Sequence, residues 1–539
     1  MSPARILICD ELSPAALGIF RERGLEPEVH VGLGEDELVR IVPGAAALVV
    51  RSATKITRRV IEAATALRVI GRAGVGVDNV DTETATERGI VVMNTPDGNT
   101  TSAAELAIAL LLALARHVPR ADRIVRGGSW SRKGLTGTEI AGKRLGVIGL
   151  GRIGRAVAER AIGLRMSVVA TDPFLQGDAS PVPGVELLDL DALLATSDFV
   201  SLHLPLTDAT KDLLSRERLA RMRKGARLVN AARGGLVDEA ALLAALESGH
   251  LAGAALDVFA DEPPRKDHPL FARDDVVLTP HLGASSHEAQ HAVAVDIARQ
   301  IGDFLVDGVA HNAVNAPAVS AQTLQEIAPY VLLAEKMGSL LAQLSAAPIR
   351  KIELTVSGEI ARVDHRHVPL SLLCGILRTG IDEGANFVSA PVIARERGIR
   401  LFESQEEEAH SWQSLIKVRA SSRPRDGRVD ESHVVAGTVF GRVPRLVRID
   451  DLHVDLEPRG PILITLHADV PGVVGMLGTL LGEERVNIRR IELGPATEGT
   501  DGAGRTARGF LSLYEAPTKE VVAKIAALPP MKAVKLVRL

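Results

Sequence analysis

Three short blocks of this chain carry residue types that can move a proton and hold an anion. They are Asn230-Ala231-Ala232-Arg233-Gly234-Gly235, Leu256-Asp257-Val258-Phe259-Ala260-Asp261-Glu262-Pro263 and Thr279-Pro280-His281-Leu282-Gly283-Ala284. An imidazole, with an ordinary pKa of ~6.5, can take a hydroxyl proton near neutral pH, and His281 is read in that role. A carboxylate orients such a ring and favours its protonated form, so Glu262 is its natural partner. Arg233 offers a planar fork of donors that can hold a substrate carboxylate and polarise a carbonyl oxygen. Each block follows a predicted strand. In an open α/β sheet, ligands bind beyond the carboxyl ends of the strands, so the three side chains should converge on one crevice.

A hydride needs an acceptor, and a second pattern supplies a place for one. Gly149-Leu150-Gly151-Arg152-Ile153-Gly154 matches G-x-G-x-x-G between a predicted strand and a predicted helix, and Asp172 ends the next strand. Gly149 permits the turn, Gly151 lets the backbone approach a pyrophosphate, and Gly154 lets the helix pack close to the sheet. The helix N-terminus presents free N–H groups and a partial positive charge. Asp172 should accept hydrogen bonds from the adenosine ribose and repel a 2′-phosphate, which favours NAD over NADP. The cofactor face is completed from the later strand ends by Ala231, Arg233, Asp257, His281, Gly283 and Ala284. Asp257 is expected near the nicotinamide carboxamide.

These groups need a scaffold of alternating strands and helices. ARILICD, AAALVVRS, LRVIGRAG and GIVVMN read as strands of a first parallel α/β unit. A long helix follows from a capping region at Asn99-Thr100-Thr101-Ser102 to about Arg116. A Rossmann-like series begins at Lys143. A helix over 286–306 could return the chain to the first unit. The expected organisation is a flavodoxin-like substrate domain at 1–97 and 287–315, discontinuous, around a Rossmann-like NAD-binding domain at 98–286. An α+β domain at 318–456 and a ferredoxin-like β-α-β-β-α-β domain at 460–539 follow. The segment 309–318 reads as a boundary, and Glu403 to His410 as a solvated surface.

Composition fits this plan. The chain has 539 residues, 46% hydrophobic and 24% charged, with a formal net charge of −4. That balance gives no global attraction to nucleic acid or to anionic membranes. Cys9 and Cys374 read as reduced thiols. The N-terminus lacks the pattern of a signal peptide, and no apolar run reaches the ~18 residues of a membrane span, so a cytoplasmic protein is expected. His365 and His367 in DHRHV read as solvated loop histidines, and no metal site is expected.

GLGRIG, NAARGGLVDEAAL, ALDVFADEP and TPHLGAS together resemble the D-isomer-specific 2-hydroxyacid dehydrogenase family over residues ~1–315. In that family the matching arginine, glutamate and histidine are the catalytic set. The related formate dehydrogenases carry glutamine where this chain has Glu262. RSATKIT and GRAGVGVDNVD are similar to the phosphoglycerate dehydrogenase branch. The resemblance implies oxidation of 3-phosphoglycerate with NAD, the first step toward serine. Such a substrate carries about three negative charges, and Arg51 and Arg72 could help Arg233 and His281 bind it. Trp130 and Arg132 resemble a loop that reaches a neighbouring subunit's active site. Two alternatives stay open: a hydroxypyruvate or glyoxylate reductase, and a non-catalytic NAD-sensing corepressor-like protein.

The remaining length resembles the regulatory part of long members of that branch. Residues ~318–455 are similar to the intervening, allosteric substrate-binding domain. Residues ~460–539 resemble an ACT domain, on His467-Ala468-Asp469-Val470-Pro471-Gly472 and Val486-Asn487-Ile488. The resemblance implies that paired domains bind L-serine between them, with His467, Asp469 and Asn487 as effector contacts. It also implies a homo-oligomer, a dimer or tetramer.

Overall fold

The structure is a computed structural model that describes residues 4–175, 180–317, 321–380, 384–423, 431–494, 497–498 and 505–539. Five strands open it: β1 (Arg5–Ile8), β2 (Glu26–Val29), β3 (Ala47–Val50), β4 (Val69–Arg72) and β5 (Val91–Asn94). They form a parallel sheet in the order β2-β1-β3-β4-β5, the flavodoxin-like order. β3 is buried at every position, as a strand covered on both faces must be. β2, of sequence EPEV, has no apolar alternation and was not expected; it is an edge strand held by its ladder with β1.

The second sheet contains β6 (Arg144–Ile148), β7 (Ser167–Thr171), β8 (Val185–Leu187), β9 (Phe199–Leu202), β10 (Arg227–Asn230), β11 (Gly253–Leu256) and β12 (Val276–Leu278). Its order, β12-β11-β10-β9-β6-β7-β8, reverses at β6/β9, the Rossmann switch point. The helix Thr100–Ala115 packs Ala104, Ala107, Leu111 and Leu114 into the core beneath β6 and β11. Its N-cap is Asn99, but the side chain makes no cap bond, so the expected capping role is not met.

The helix His287–Asp307 starts at Ser286, whose side chain accepts from the Ala289 N–H. It buries Val293, Ala294, Ile297 and Ile301 against Ile6, Val69 and Met93 of the first sheet and Phe20 of the helix Pro14–Glu22. Gly71 makes this contact possible: a Cβ there would lie 2.4 Å from Ile301 Cδ1. The segment after this helix is tied to the first sheet. Val314 N–H donates to the Val92 carbonyl, and the Asn315 side chain bonds Val92, Ile90 and Thr86.

The third sheet runs β13 (Ile349–Gly358), β14 (Arg400–Glu406), β15 (Ser414–Ser422), β16 (Glu431–Phe440), β17 (Val443–Ile449) and β18 (Leu452–Leu456), in the order β14-β13-β15-β16-β17-β18. Helices Ala321–Leu344 and His367–Arg378 cover it, crossing closely where Gly375 faces the Glu335 carbonyl. The acidic stretch is mostly exposed, as expected, and much of it is β14, an edge strand laid parallel to β13. One expectation needs correction here. His365 and His367 are both buried, because the helix they introduce is folded onto the sheet.

The last sheet contains β19 (Pro461–Ala468), β20 (Ile488–Leu493), the short β21 (Thr497–Glu498), β22 (Arg505–Leu513) and β23 (Met531–Arg538). Its main path, β20-β22-β19-β23, with helices Val473–Glu483 and Lys519–Ala526 on one face, is the ferredoxin-like arrangement. Most of the glycine-rich loop before β22 lies outside the described residues. The other face is not free. Ile462, Phe510 and Val537 join the core of the third sheet, and Gln343 exchanges two 2.9 Å hydrogen bonds with the backbone of Arg538. His433, Asp450 and Arg508 continue the contact as a chain of charge-paired groups at 3.2 Å. The third sheet's unit in turn reaches the first. Asn386 donates to the Gly89 carbonyl at 2.9 Å, and Val388 is buried in the first sheet's core.

Among the described residues, no single helix is long and apolar enough to cross a membrane. Both cysteines are free and buried.

Candidate active site

The glycine turn behaves as its sequence predicts. Gly149 takes φ +91°, and a Cβ there would lie 2.5 Å from the His203 carbonyl oxygen, so no other residue fits. A Cβ at Gly154 would lie 2.0 Å from the Gly149 oxygen, which brings the helix Arg152–Gly163 down onto the turn. Gly151 is the N-cap of that helix, and nothing lies within 4 Å of its Cβ direction. Open space over a helix N-terminus is what a pyrophosphate requires, so the residues present fit a dinucleotide. Arg152 and Ile153 form the first turn, with Arg152 paired to Asp97 at 2.6 Å. Asp172 follows β7. One carboxylate oxygen accepts from the Leu150 N–H at 2.9 Å, and the other accepts from the Phe174 N–H at 3.0 Å. It thus ties the turn to the neighbouring strand and keeps lone pairs for a ribose.

The three chemical blocks stand together at the ends of β10, β11 and β12. His281 Nδ1 lies 2.7 Å from Glu262 Oε2. Both side chains are partly open, His281 39% and Glu262 37%, so the ring can meet a ligand while its partner steers it. Glu262 also accepts from the Phe259 N–H at 3.1 Å. Burial raises the proton affinity of Glu262, but the bond to His281, its charge and the Phe259 N–H outweigh that. The carboxyl is held below its usual range, so it is ionised at neutral pH.

His281 sits at φ +55°, in the left-handed region, and Asp257 holds it there. The Asp257 backbone carbonyl accepts from the His281 N–H at 2.8 Å. Its buried carboxylate accepts from Leu282 N–H at 2.7 Å, Gly283 N–H at 3.0 Å and Thr279 Oγ1 at 2.6 Å. Burial pushes its pKa up in spite of these donors. Sequence reasoning gave Asp257 to the carboxamide alone and missed this structural task. An ionised carboxylate has about four acceptor positions, so one is left for the expected contact. Ala284 follows Gly283 in the same turn.

Arg233 leaves β10 through a turn fixed by Asn230. That buried side chain donates to the Arg233 carbonyl at 2.9 Å and accepts from the Ala232 N–H at 3.1 Å, beside Ala231. Asn230 was not singled out as functional, although its place at the strand end, three residues before the arginine, was visible. The Arg233 guanidinium crosses to the first unit, donating from Nε to Asp78 Oδ2 at 3.0 Å. Asp78 was also missed.

The first unit contributes two more arginines. Arg72 ends β4, and its guanidinium lies over Gly74, where a Cβ would be 1.6 Å from Nη1. Its Nε is buried and has no hydrogen-bond partner among the described residues. Burial lowers its pKa to about 10, helped by the positive charges of Arg233 and Arg51 nearby. Arg51 follows β3; its backbone N–H donates to Asp10 at 2.5 Å and its Nη1 to the Glu11 carbonyl at 3.3 Å. Arg51 and Arg233 thus stand close enough to Arg72 for their charges to act on it, and the charge of Arg233 acts on Glu262 as well. Trp130 is 82% exposed.

The effector candidates do not converge within one domain. His467 is buried at the end of β19, with Nδ1 3.0 Å from the Ala468 carbonyl and Nε2 without a partner among the described residues. Asp469 follows it, 3.8 Å from Arg505 at the start of β22. Asn487 is exposed just before β20, whose Ile488 pairs with Leu513 at the other end of β22. That places it roughly 25 Å away along the strand.

Comparison with known proteins places this geometry. Residues 108–283 match the NAD binding domain of D-isomer specific 2-hydroxyacid dehydrogenases, and residues 326–450 match the D-3-phosphoglycerate dehydrogenase intervening domain. The D-3-phosphoglycerate dehydrogenase of Archaeoglobus fulgidus is 43% identical over 97% of this chain and 98% of its own length. The enzyme of the same name from Methanocaldococcus jannaschii is 40% identical over 99% of this chain and 100% of its own. Among solved structures, a Thermus thermophilus protein is 43% identical with TM-score 0.54, covering 57% of this chain and 99% of its own. An NAD-dependent formate dehydrogenase from Staphylococcus aureus, solved with NAD, is 30% identical with TM-score 0.53, covering 58% of this chain and 100% of its own. Likeness of this extent, running through the cofactor turn, the three strand-end blocks and the C-terminal extension alike, makes the chain a member of the D-3-phosphoglycerate dehydrogenase family, within the D-isomer-specific 2-hydroxyacid dehydrogenases.

Proposed function

We propose that this chain oxidises 3-phospho-D-glycerate to 3-phosphohydroxypyruvate with NAD. The observation that carries the reading is the meeting of three arginines with one imidazole–carboxylate pair. Arg51, Arg72 and Arg233 match a substrate bearing a carboxylate and a phosphate, about three negative charges in all. His281 takes the hydroxyl proton, and Glu262 stabilises the imidazolium that forms. Arg233 holds the carboxylate and polarises the developing carbonyl oxygen. NAD, held at Gly149, Gly151, Arg152, Ile153, Gly154 and Asp172 and faced by Ala231, Asp257, Gly283 and Ala284, supplies the hydride acceptor.

Initial rates of NADH formation test the substrate. 3-Phosphoglycerate should give a kcat/KM at least 100-fold above that of glycerate, since each lost phosphate–guanidinium contact costs about 1.5–3 kcal/mol. Equal rates for the two would leave a hydroxypyruvate or glyoxylate reductase as the better reading.

The C-terminal unit acts in this reading as an ACT sensor for L-serine. His467 and Asp469 at one end of the sheet and Asn487 at the other close on one ligand only across two copies. The unpartnered His467 Nε2 supports a ligand there. A second copy is also favoured by the helix Val118–Arg126, which buries none of its residues and leaves Val118, Val125 and the following Trp130 exposed. L-serine should lower turnover, and Asp469→Ala should abolish that response without changing the rate in its absence. A coupling of ~1–3 kcal/mol corresponds to roughly 5–150-fold in affinity. A flat serine titration would restrict the unit to assembly.

A further inference from the structure

A second imidazole–carboxylate pair lies behind the first. Glu239 is the first residue of the helix Glu239–Glu247, which follows the Arg233 turn. Its Oε1 accepts from the Ala260 N–H at 2.7 Å, and its Oε2 lies 3.0 Å from His268 Nε2. A carboxylate only accepts, so His268 carries its proton on Nε2. Both side chains are mostly withdrawn from solvent, Glu239 21% and His268 14% exposed.

What they hold is the loop that bears Glu262. Phe259, Ala260 and Glu262 belong to one short turn after β11. The Phe259 N–H is bonded to Glu262, and the Ala260 N–H to Glu239. The Phe259 ring meets the His268 ring edge-on at 5.5 Å, and His268 also lies 5.5 Å from the Phe271 ring. On the other side, Gly234 presses on the same turn: a Cβ there would lie 1.7 Å from the Phe259 carbonyl oxygen. The turn is thus gripped between the Arg233 block and the His268 segment, and Glu239 supplies its polar bond from outside. A cavity of ≈430 Å³ beside it, lined by Phe259, Pro263, Phe271, Leu278, Pro280 and His281, leaves the turn room to move. Without the Glu239 bond, that room would let Glu262 drift from His281.

We propose that Glu239 and His268 are a positioning pair that fixes the 259–262 turn and so aims Glu262 at His281. The inference rests on the proton-transfer role given to His281 and Glu262. Misplacing a reacting group by about 1 Å can cost on the order of 100-fold in rate. A misaimed Glu262 also supports the imidazolium less, so the free imidazole persists to lower pH.

The test compares Glu239→Ala, Glu239→Gln and His268→Phe with the wild type, using whichever 2-hydroxy acid the wild type oxidises fastest. A wrong substrate assignment then leaves the comparison intact. Glu239→Ala should lower kcat roughly 10–100-fold, leave NADH affinity unchanged, and move the acid limb of the kcat/KM profile to lower pH. Glu239→Gln should restore most of the rate, because its amide oxygen still accepts from the Ala260 N–H and its NH2 donates to His268 Nε2 once the ring carries its proton on Nδ1. An unmoved acid limb with only a lower Tm would mean a scaffold role and overturn the proposal, as would a Glu239→Gln as damaged as Glu239→Ala. If Glu239→Ala does not fold, His268→Phe keeps the ring contacts and removes the bond that fixes the Glu239 carboxylate, while the Ala260 N–H still has its acceptor. A smaller displacement of the acid limb in the same direction is expected from it, and an unmoved limb overturns the proposal.

Discussion

Replacing His281 by asparagine should lower kcat by about 1,000-fold and leave NADH binding intact. Asparagine is chosen for the backbone. His281 stands at φ +55°, where asparagine is among the residues best tolerated, whereas alanine adds roughly 1 kcal/mol of strain. The His281→Asn protein can therefore keep the turn that Asp257 caps through Leu282 and Gly283. Loss of rate then reports the missing base and not a collapsed loop. Glu262→Gln should give a smaller loss with a diagnostic pH signature. The Glu262 carboxyl is held below its usual range, so it is charged wherever the enzyme works. Removing that charge weakens support for the imidazolium, and the acid limb of kcat/KM moves to lower pH. Steady-state rates from about pH 5 to 9, bracketing the ordinary histidine range, with NADH fluorescence titrations alongside, make the measurement. A His281→Asn enzyme within about tenfold of wild type, far short of the loss expected of a missing general base, would remove His281 from the proton path.

The parts of the site that could be read from sequence are those made by neighbours along the chain. Gly149, Gly151 and Gly154 act within one turn, so their spacing contains their geometry. Arg233, Glu262 and His281 each follow a strand of a parallel sheet, and the sheet brings strand ends together whatever the loops do. What escaped the reading depends on distant partners. Asp78 meets Arg233 across 155 residues, between two separately folded sheets. Asp257 lies near Glu262 in sequence, which suggested a ligand contact, yet its donors come from the turn after β12. β2 and β8 are edge strands whose existence comes from the neighbour they pair with, not from their own composition. His365 and His367 looked solvated because their flanking residues are charged; the structure sets His365 against Gln405 of β14 and the His367 ring edge-on to Phe387, partners distant in sequence.

The largest effect on substrate binding is expected at Arg72, and it should come with a gain in stability. The Arg72 guanidinium is pinned over Gly74 and its Nε is buried without a partner among the described residues; burial and the charges of Arg233 and Arg51 outweigh the support of Asp78 and Asp10. A cation desolvated beside like charges destabilises the free protein. A bound trianion would relieve that repulsion, so the strain is stored for the ligand. Arg72→Met keeps the length and much of the apolar stem and removes the charge. It should raise the Tm of the ligand-free protein and weaken 3-phosphoglycerate by about 3 kcal/mol, roughly 100-fold in Kd. The rise in Tm that 3-phosphoglycerate gives the wild type should shrink accordingly, because ligand stabilisation follows ligand affinity. Arg51→Met should show the binding loss with less of the stability gain, since its guanidinium has a carbonyl partner in Glu11. Thermal melts with and without ligand read both effects in one series. An Arg72→Met protein that melts earlier than wild type and still binds 3-phosphoglycerate normally would make Arg72 a structural residue and take the phosphorylated substrate's strongest support with it.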